Sequence, residues 1–153
     1  MYRSLLLPTD GSPAAEAGVK EGLRLAKALG ARVAFLYVLE PVGPRLFLGP
    51  ETLPYYQALV EDMRKEGMAA LDRATRMAEE LGVGFEAHLL EGRAAEVILK
   101  EAGKHDLLVM ATHGRTGLDA VLLGSVTQEV VRRSSKPVLV VPYRTSGSEA
   151  ASR

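Results

Sequence analysis

Leu107-Leu108-Val109-Met110-Ala111-Thr112-His113-Gly114, followed after nine residues by Gly124-Ser125, is the stretch whose reading decides the fold of this chain. An unbroken apolar run that gives way to small and polar residues reads as a strand buried on both faces and entering a loop. Ser125 reads as a helix N-cap, because Gln128 follows it at the reciprocal capping-box spacing. Gly124 has no Cβ, so a ligand can approach the backbone closely there. A helix starting at this point aims unpaired N–H groups and the positive end of its dipole at the loop, which favours an anion. The stretch therefore predicts a site for a phosphate-bearing ligand, a nucleotide.

Downstream of it, Pro137-Val138-Leu139-Val140-Val141-Pro142 reads as a last strand. At the other end of the chain, Leu5-Leu6-Leu7 forms the core of a strand from Arg3 to Pro8 that stops at Thr9-Asp10-Gly11-Ser12-Pro13. Ser12 is placed to cap a helix and Pro13 to occupy its first turn, so a helix is predicted from Pro13 to Leu29, ended by Gly30. Its inner face is small: Ala15, Val19, Gly22, Ala26 and Leu29. Arg32 to Leu39 is β-branched and aromatic enough for a second strand. Residues 41–52 carry too much Pro and Gly for a ladder and read as a flap. A long helix follows, with Leu53, Tyr56, Val60, Met63, Gly67, Ala70, Ala74, Met77 and Leu81 as its core stripe and Gly82 as its stop. A strand at about Gly84 to Leu90 and a helix at about Ala94 to Gly103 lead back to Leu107.

This alternation predicts an α/β fold: a five-stranded, mostly parallel sheet, doubly wound with helices on both faces. Ligands of such sheets bind past the carboxyl ends of the strands, where the winding reverses, and the Pro8-to-Ser12 and Met110-to-Ser125 loops both lie at such ends. Residues 144–153 have no apolar stripe and are expected to be a disordered tail, which leaves residues 1–143 as a single domain. A chain of 153 residues is long enough for one real core.

Lysine plus arginine equals aspartate plus glutamate, 19 against 19, so nothing in the overall charge points to nucleic acid or an anionic membrane. Cysteine is absent, which excludes disulfides, thiolate metal sites and a cysteine nucleophile, and suits a cytoplasmic location. No apolar run approaches the roughly 20 residues of a membrane-spanning helix. Asparagine is absent too and glutamine is confined to Gln57 and Gln128, a bias met in heat-adapted proteins. Neither a Gly-x4-Gly-Lys-Ser/Thr loop nor a Gly-x-Gly-x2-Gly fingerprint after the first strand is present, so P-loop and dinucleotide chemistry have no residues to rest on. His88 and His105 have no partner at metal-ligand spacing, and a metal site stays unknown. Asp10 reads either as a turn residue or as a ligand contact. His113 lacks an accompanying nucleophile or orienting carboxylate, so no catalytic residue is assigned.

Taken together, three features resemble the universal stress protein family over residues 2–143: Leu7-Pro8-Thr9-Asp10-Gly11-Ser12, a loop of the form Gly-x2-Gly-x9-Gly-Ser, and Lys136-Pro137-Val138-Leu139-Val140-Val141. The resemblance implies a Rossmann-like fold of the adenine nucleotide alpha hydrolase kind, with ATP as cofactor and Mg2+ accompanying it. On it, Pro8, Thr9 and Asp10 would flank the nucleoside, and Val38 would meet the adenine edge through its backbone. Met110 and Ala111 would line the ribose wall, while Gly114, Arg115, Gly124, Ser125, Val126 and Thr127 would hold phosphates. Ala111 stands where the family's loop has its first glycine. Either its backbone lies in an ordinary region or the nucleotide is held slightly farther off. The resemblance also implies a homodimer, for which the apolar edge Val138 to Val141 is suited.

The leading expectation is thus a nucleotide-binding stress-response module of the cytoplasm, in which ATP orders the 41–52 and 112–123 loops. A slow ATPase or phosphotransferase using Asp10, His113 or Arg115 is the alternative from the enzyme class. A dimerisation module that binds no nucleotide is the alternative from the interaction class.

Overall fold

The computed structural model of the chain describes residues 1–41, 49–112 and 124–143. Strand β1 (Ser4–Pro8) passes through a tight turn into helix α1 (Pro13–Leu29). Ser12 caps that helix as its sequence suggests: the residue is extended, its Oγ accepts the Ala15 N–H at 3.2 Å, and Pro13 occupies the first turn. Gly30, at φ +68°, closes it in the left-handed conformation that only glycine adopts without cost. Then come β2 (Arg32–Leu39), a single 3-10 turn at Pro50–Thr52, and the long α2 (Leu53–Leu81). The chain continues through β3 (Phe85–Glu91), α3 (Ala94–Ala102), β4 (Leu107–Ala111), α4 (Ser125–Arg133) and β5 (Val138–Val141).

The five strands form one sheet in the order β3-β2-β1-β4-β5, and every pairing in it is parallel. Leu5 is in register with Val33 on one side and Leu107 on the other, while Val109 faces Leu139 and Phe35 faces Ala87. Side chains alternate between the two faces. Leu5, Leu7, Val33, Phe35, Tyr37 and Val109 pack under α1 and α2. Leu6, Ala34, Leu36, Leu108 and Met110 pack under α3 and α4. Coverage of both faces is why these strands read as continuous apolar runs rather than as alternating ones. Helix α1 lies so close to the sheet that a Cβ on Gly22 would stand 2.7 Å from Leu7 Cδ2. From β1 the chain winds outward to β2 and β3, then crosses back to lay β4 and β5 on the other side, so the winding reverses between β1 and β4.

Three expectations need correction. Leu29 is 38% exposed, because Gly30 turns the chain away before that position reaches the sheet. The stripe of α2 is buried only from its midpoint onward, at Gly67, Ala70, Leu71, Ala74 and Ala78, and Leu53 is 40% exposed. Twenty-nine helical residues span about 43 Å, whereas the 7 residues of β3 reach only about 23 Å. The first half of α2 therefore overhangs the sheet. Finally, Ser125 is not the N-cap of α4: Gly124 is, in extended conformation, and Ser125 is the first helical residue.

Candidate functional site

At the carboxyl end of β1 the Thr9 N–H donates to the Leu36 carbonyl at 2.9 Å, which continues the pairing with β2 one residue past the strand. The chain then leaves the sheet in two local turns. Thr9 Oγ1 accepts the Gly11 N–H at 3.1 Å, and Asp10 Oδ1 accepts the Ser12 N–H at 2.9 Å. Gly11, at φ +80°, takes the left-handed step between them. Asp10 is thus a turn residue, and the turn fixes its carboxylate at the strand end.

At the end of β4 the Thr112 N–H donates to Val141, extending the pairing with β5, and the Thr112 carbonyl accepts the Gly124 N–H. Thr112 and Gly124 are adjacent in space although residues 113–123 separate them in sequence, and this contact sets where α4 begins. Thr127 Oγ1 donates to the Ala111 carbonyl at 2.8 Å, tying the first turn of α4 to the same strand end. Thr127 is 5% exposed with its hydroxyl turned inward, so it can offer only its backbone N–H to a ligand. The first intrahelical bond runs from the Gln128 N–H to the Gly124 carbonyl at 2.9 Å. The amides of Ser125, Val126 and Thr127 precede it and have no carbonyl of their own helix to bond.

A crevice of about 210 Å³ lies between these two loops, above the reversal of the winding. Pro8, Thr9, Asp10, Val38, Met110, Ala111, Gly124, Ser125, Val126 and Thr127 line it, together with Ala15, Leu36, Ala94 and Ile98. Its lining is mainly apolar. The β1–β2 register ends at Pro8↔Leu36 and the Leu36 carbonyl points toward the β1 side. With a period of two, the N–H and carbonyl of Val38 point the same way, past the end of β1 and into the crevice. Ala111 belongs to β4, and no non-glycine residue among those described has positive φ. Its methyl faces α1, where a Cβ on Gly18 would stand 3.4 Å from it. Of the two readings of Ala111, its backbone lies in the ordinary region.

Charged side chains tie together the elements that carry the lining residues Val38, Ala94 and Ser125. Glu40 Oε1 accepts the Ala94 N–H at 2.6 Å and so caps α3 from the end of β2. Arg93 reaches across to α4 with both guanidinium nitrogens, Nη1 to Glu129 Oε1 at 2.9 Å and Nη2 to Glu129 Oε2 at 2.6 Å. Glu96 and Arg133 complete the cluster. The Arg93 hydrogen bond, reinforced by Arg133, brings the Glu129 carboxyl down to about 2. Among the described residues, no group of three or more His, Cys, Asp or Glu side chains is placed to hold a metal ion.

The sequence model of the universal stress protein family matches residues 1–142. The chain belongs to that family. Universal stress protein MJ0531 of Methanocaldococcus jannaschii is 38% identical to it over 143 residues, which cover 92% of this chain and 82% of the relative. Among solved structures, protein MJ0577 of the same organism superposes with a TM-score of 0.80 at 29% identity, over 95% of this chain and 99% of the other. A universal stress protein crystallised in complex with cAMP superposes with a TM-score of 0.64 at 26% identity, over 92% and 97% of the two chains.

In this universal stress protein the crevice gathers ten of the twelve residues singled out from the sequence. The other two, Gly114 and Arg115, lie outside the described residues, as do His113, most of the two loops expected to close over a ligand, and the tail from 144. The sequence reading missed Ala15, Leu36, Ala94 and Ile98 as lining residues. Ala94 and Ile98 carried a usable signal, since a crossover after β3 must start its helix at the carboxyl edge of the sheet, beside the crevice. The ion cluster gave none, because its members lie 36 residues apart.

Proposed function

We propose that this universal stress protein binds ATP in the crevice between β1 and β4 and works as a nucleotide-dependent regulatory module of the cytoplasmic stress response. The observation that carries the reading is the convergence of three backbone features on one apolar crevice. These are the outward groups of Val38, the β1 turn with Asp10, and the first-turn amides of α4. A purine edge suits a strand backbone that presents one donor and one acceptor, and a phosphate suits free amides at the positive end of a helix. The complex of a related protein with cAMP supports an adenine nucleotide as the class of ligand.

In this reading Val38 meets the base, and Leu36 and Ile98 pack against it. Pro8, Thr9, Met110 and Ala111 flank the ribose. Ser125, Val126 and Thr127 receive phosphates through backbone N–H groups, Gly124 lets the phosphates approach closely because it has no side chain, and Gly114 and Arg115 join from the loop. A volume of about 210 Å³ is small beside the ~300–1,000 Å³ of pockets that enclose whole drug-sized ligands, so the nucleoside is enclosed and the phosphates sit at the rim. Mg2+ bound to phosphates needs only one or two protein carboxylates, and in this reading Asp10 supplies one. The protein acts as a homodimer joined along β5, and partners read its nucleotide state.

Gly124→Val tests the site. The substitution places a branched side chain where the helix start meets the phosphates and should abolish ATP binding measured by calorimetry, with thermal stability near that of the wild type. Unchanged affinity would remove the phosphates from this position.

A further inference from the structure

Helix α3 stands between the two ends of the crevice, and charged contacts tie it to each. Toward the base end, Glu40 lies two residues past Val38 and accepts the Ala94 N–H at 2.6 Å. Toward the phosphate end, Arg93, the residue before Ala94, grips Glu129 with a two-pronged contact at 2.9 and 2.6 Å. Glu129 lies one helical turn after Ser125, on the helix whose first-turn amides line the rim. We infer that Glu40, Arg93 and Glu129 are positioning residues that set the spacing between the base wall and the phosphate rim of the nucleotide site. The inference deepens the proposed function and rests on it.

An isolated pair of exposed charges contributes little, but a fork that joins two helices within a larger network holds a defined geometry. Arg133 extends that network, contacting Glu96 at 2.7 Å and Glu129 at 2.5 Å. The depressed Glu129 carboxyl keeps its charge at any pH the protein would meet in a cell. Without the fork, the start of α4 stays tied to the end of β4 by Gly124 on Thr112 and Thr127 on Ala111, and the helix packs through the buried Val130, while among the described residues Arg133 on Glu96 is the ion pair that still joins α4 to α3. The amides of α4 can then drift relative to Val38. A ligand that touches both ends senses the drift, whereas a ligand confined to the base end does not.

The test compares ATP with adenosine on the full chain of the wild type, Arg93→Ala and Glu129→Gln. The expected result is an ATP affinity about fivefold weaker in both variants, the scale of a ~1 kcal/mol contact, with adenosine affinity unchanged. Glu129→Gln separates positioning from plain electrostatics. It deletes a negative charge near the phosphates, so ATP would bind more tightly if only the field mattered, and tighter binding overturns the inference. Equal losses for ATP and adenosine overturn it too, because they mean general damage to the crevice. A wild type that binds neither ligand overturns the proposed function, and this inference falls with it; a wild type that binds both, with variants like it, overturns only this inference. A ligand-free readout adds a check: Glu129→Gln should shift the amide resonances of Ser125, Val126 and Thr127, and unmoved resonances count against a positioning role.

Discussion

His105 sits just before β4 at the amino-terminal end of the sheet, with Nδ1 2.5 Å from the Ser4 hydroxyl. Burial pushes its pKa below the usual histidine value. Glu86, Glu101 and Asp106 pull upward and His88 pushes further down, but desolvation dominates. The folded chain therefore takes up this proton less readily than the unfolded one, so stability is lost as pH falls through and below about 6.5. The melting temperature should drop between about pH 7.5 and about pH 5.5, and His105→Gln should flatten that slope; an unchanged slope would assign the titration elsewhere. At Gly22 a methyl would meet Leu7, so Gly22→Ala should cost about 1–3 kcal/mol of unfolding free energy by overpacking. Ala111 shows what one residue could not reveal by itself. Its methyl fits because Gly18, on a different element, leaves room for it.

Elements were legible in proportion to how locally they are determined. Ser12, Pro13 and Gly30 carry the whole instruction for the ends of α1, and the structure follows it. Ser12→Ala should lower stability by about 1 kcal/mol in denaturant unfolding through loss of the cap, and a value near zero would mean that the bond to Ala15 contributes nothing. The start of α4 is displaced by one residue from the capping-box reading, because Gly124 is bonded to Thr112 across a long loop and this contact decides the geometry. Helix α2 shows a different limit. Its apolar stripe gave the face and the ends correctly, yet the burial of that face depends on the length of the sheet beneath it. No pattern within the helix encodes that length.

For the molecule as a whole, alternating strands and helices were enough to give the parallel, doubly wound sheet, and right-handed crossovers then placed both loops at one reversal point. Assembly is a separate question. The carbonyls of Pro137 and Val141 point toward β4, so Val138 and Val140 present their backbone groups to the outer edge of β5. Leu139, at 38% exposure, leaves that edge apolar. If copies pair along it, Val140→Pro should give a folded monomer in sedimentation, since it deletes an outward N–H and leaves the β4 pairing intact. A dimer that persists in this variant would place the interface elsewhere. The central claim, an adenine nucleotide bridging Val38 and the first turn of α4, is tested most directly by calorimetric titration of the ligand-stripped chain with ATP and Mg2+, with GTP in parallel. Saturable binding at one site per chain, tighter for ATP than for GTP, is the predicted result; no binding at millimolar ATP would contradict it.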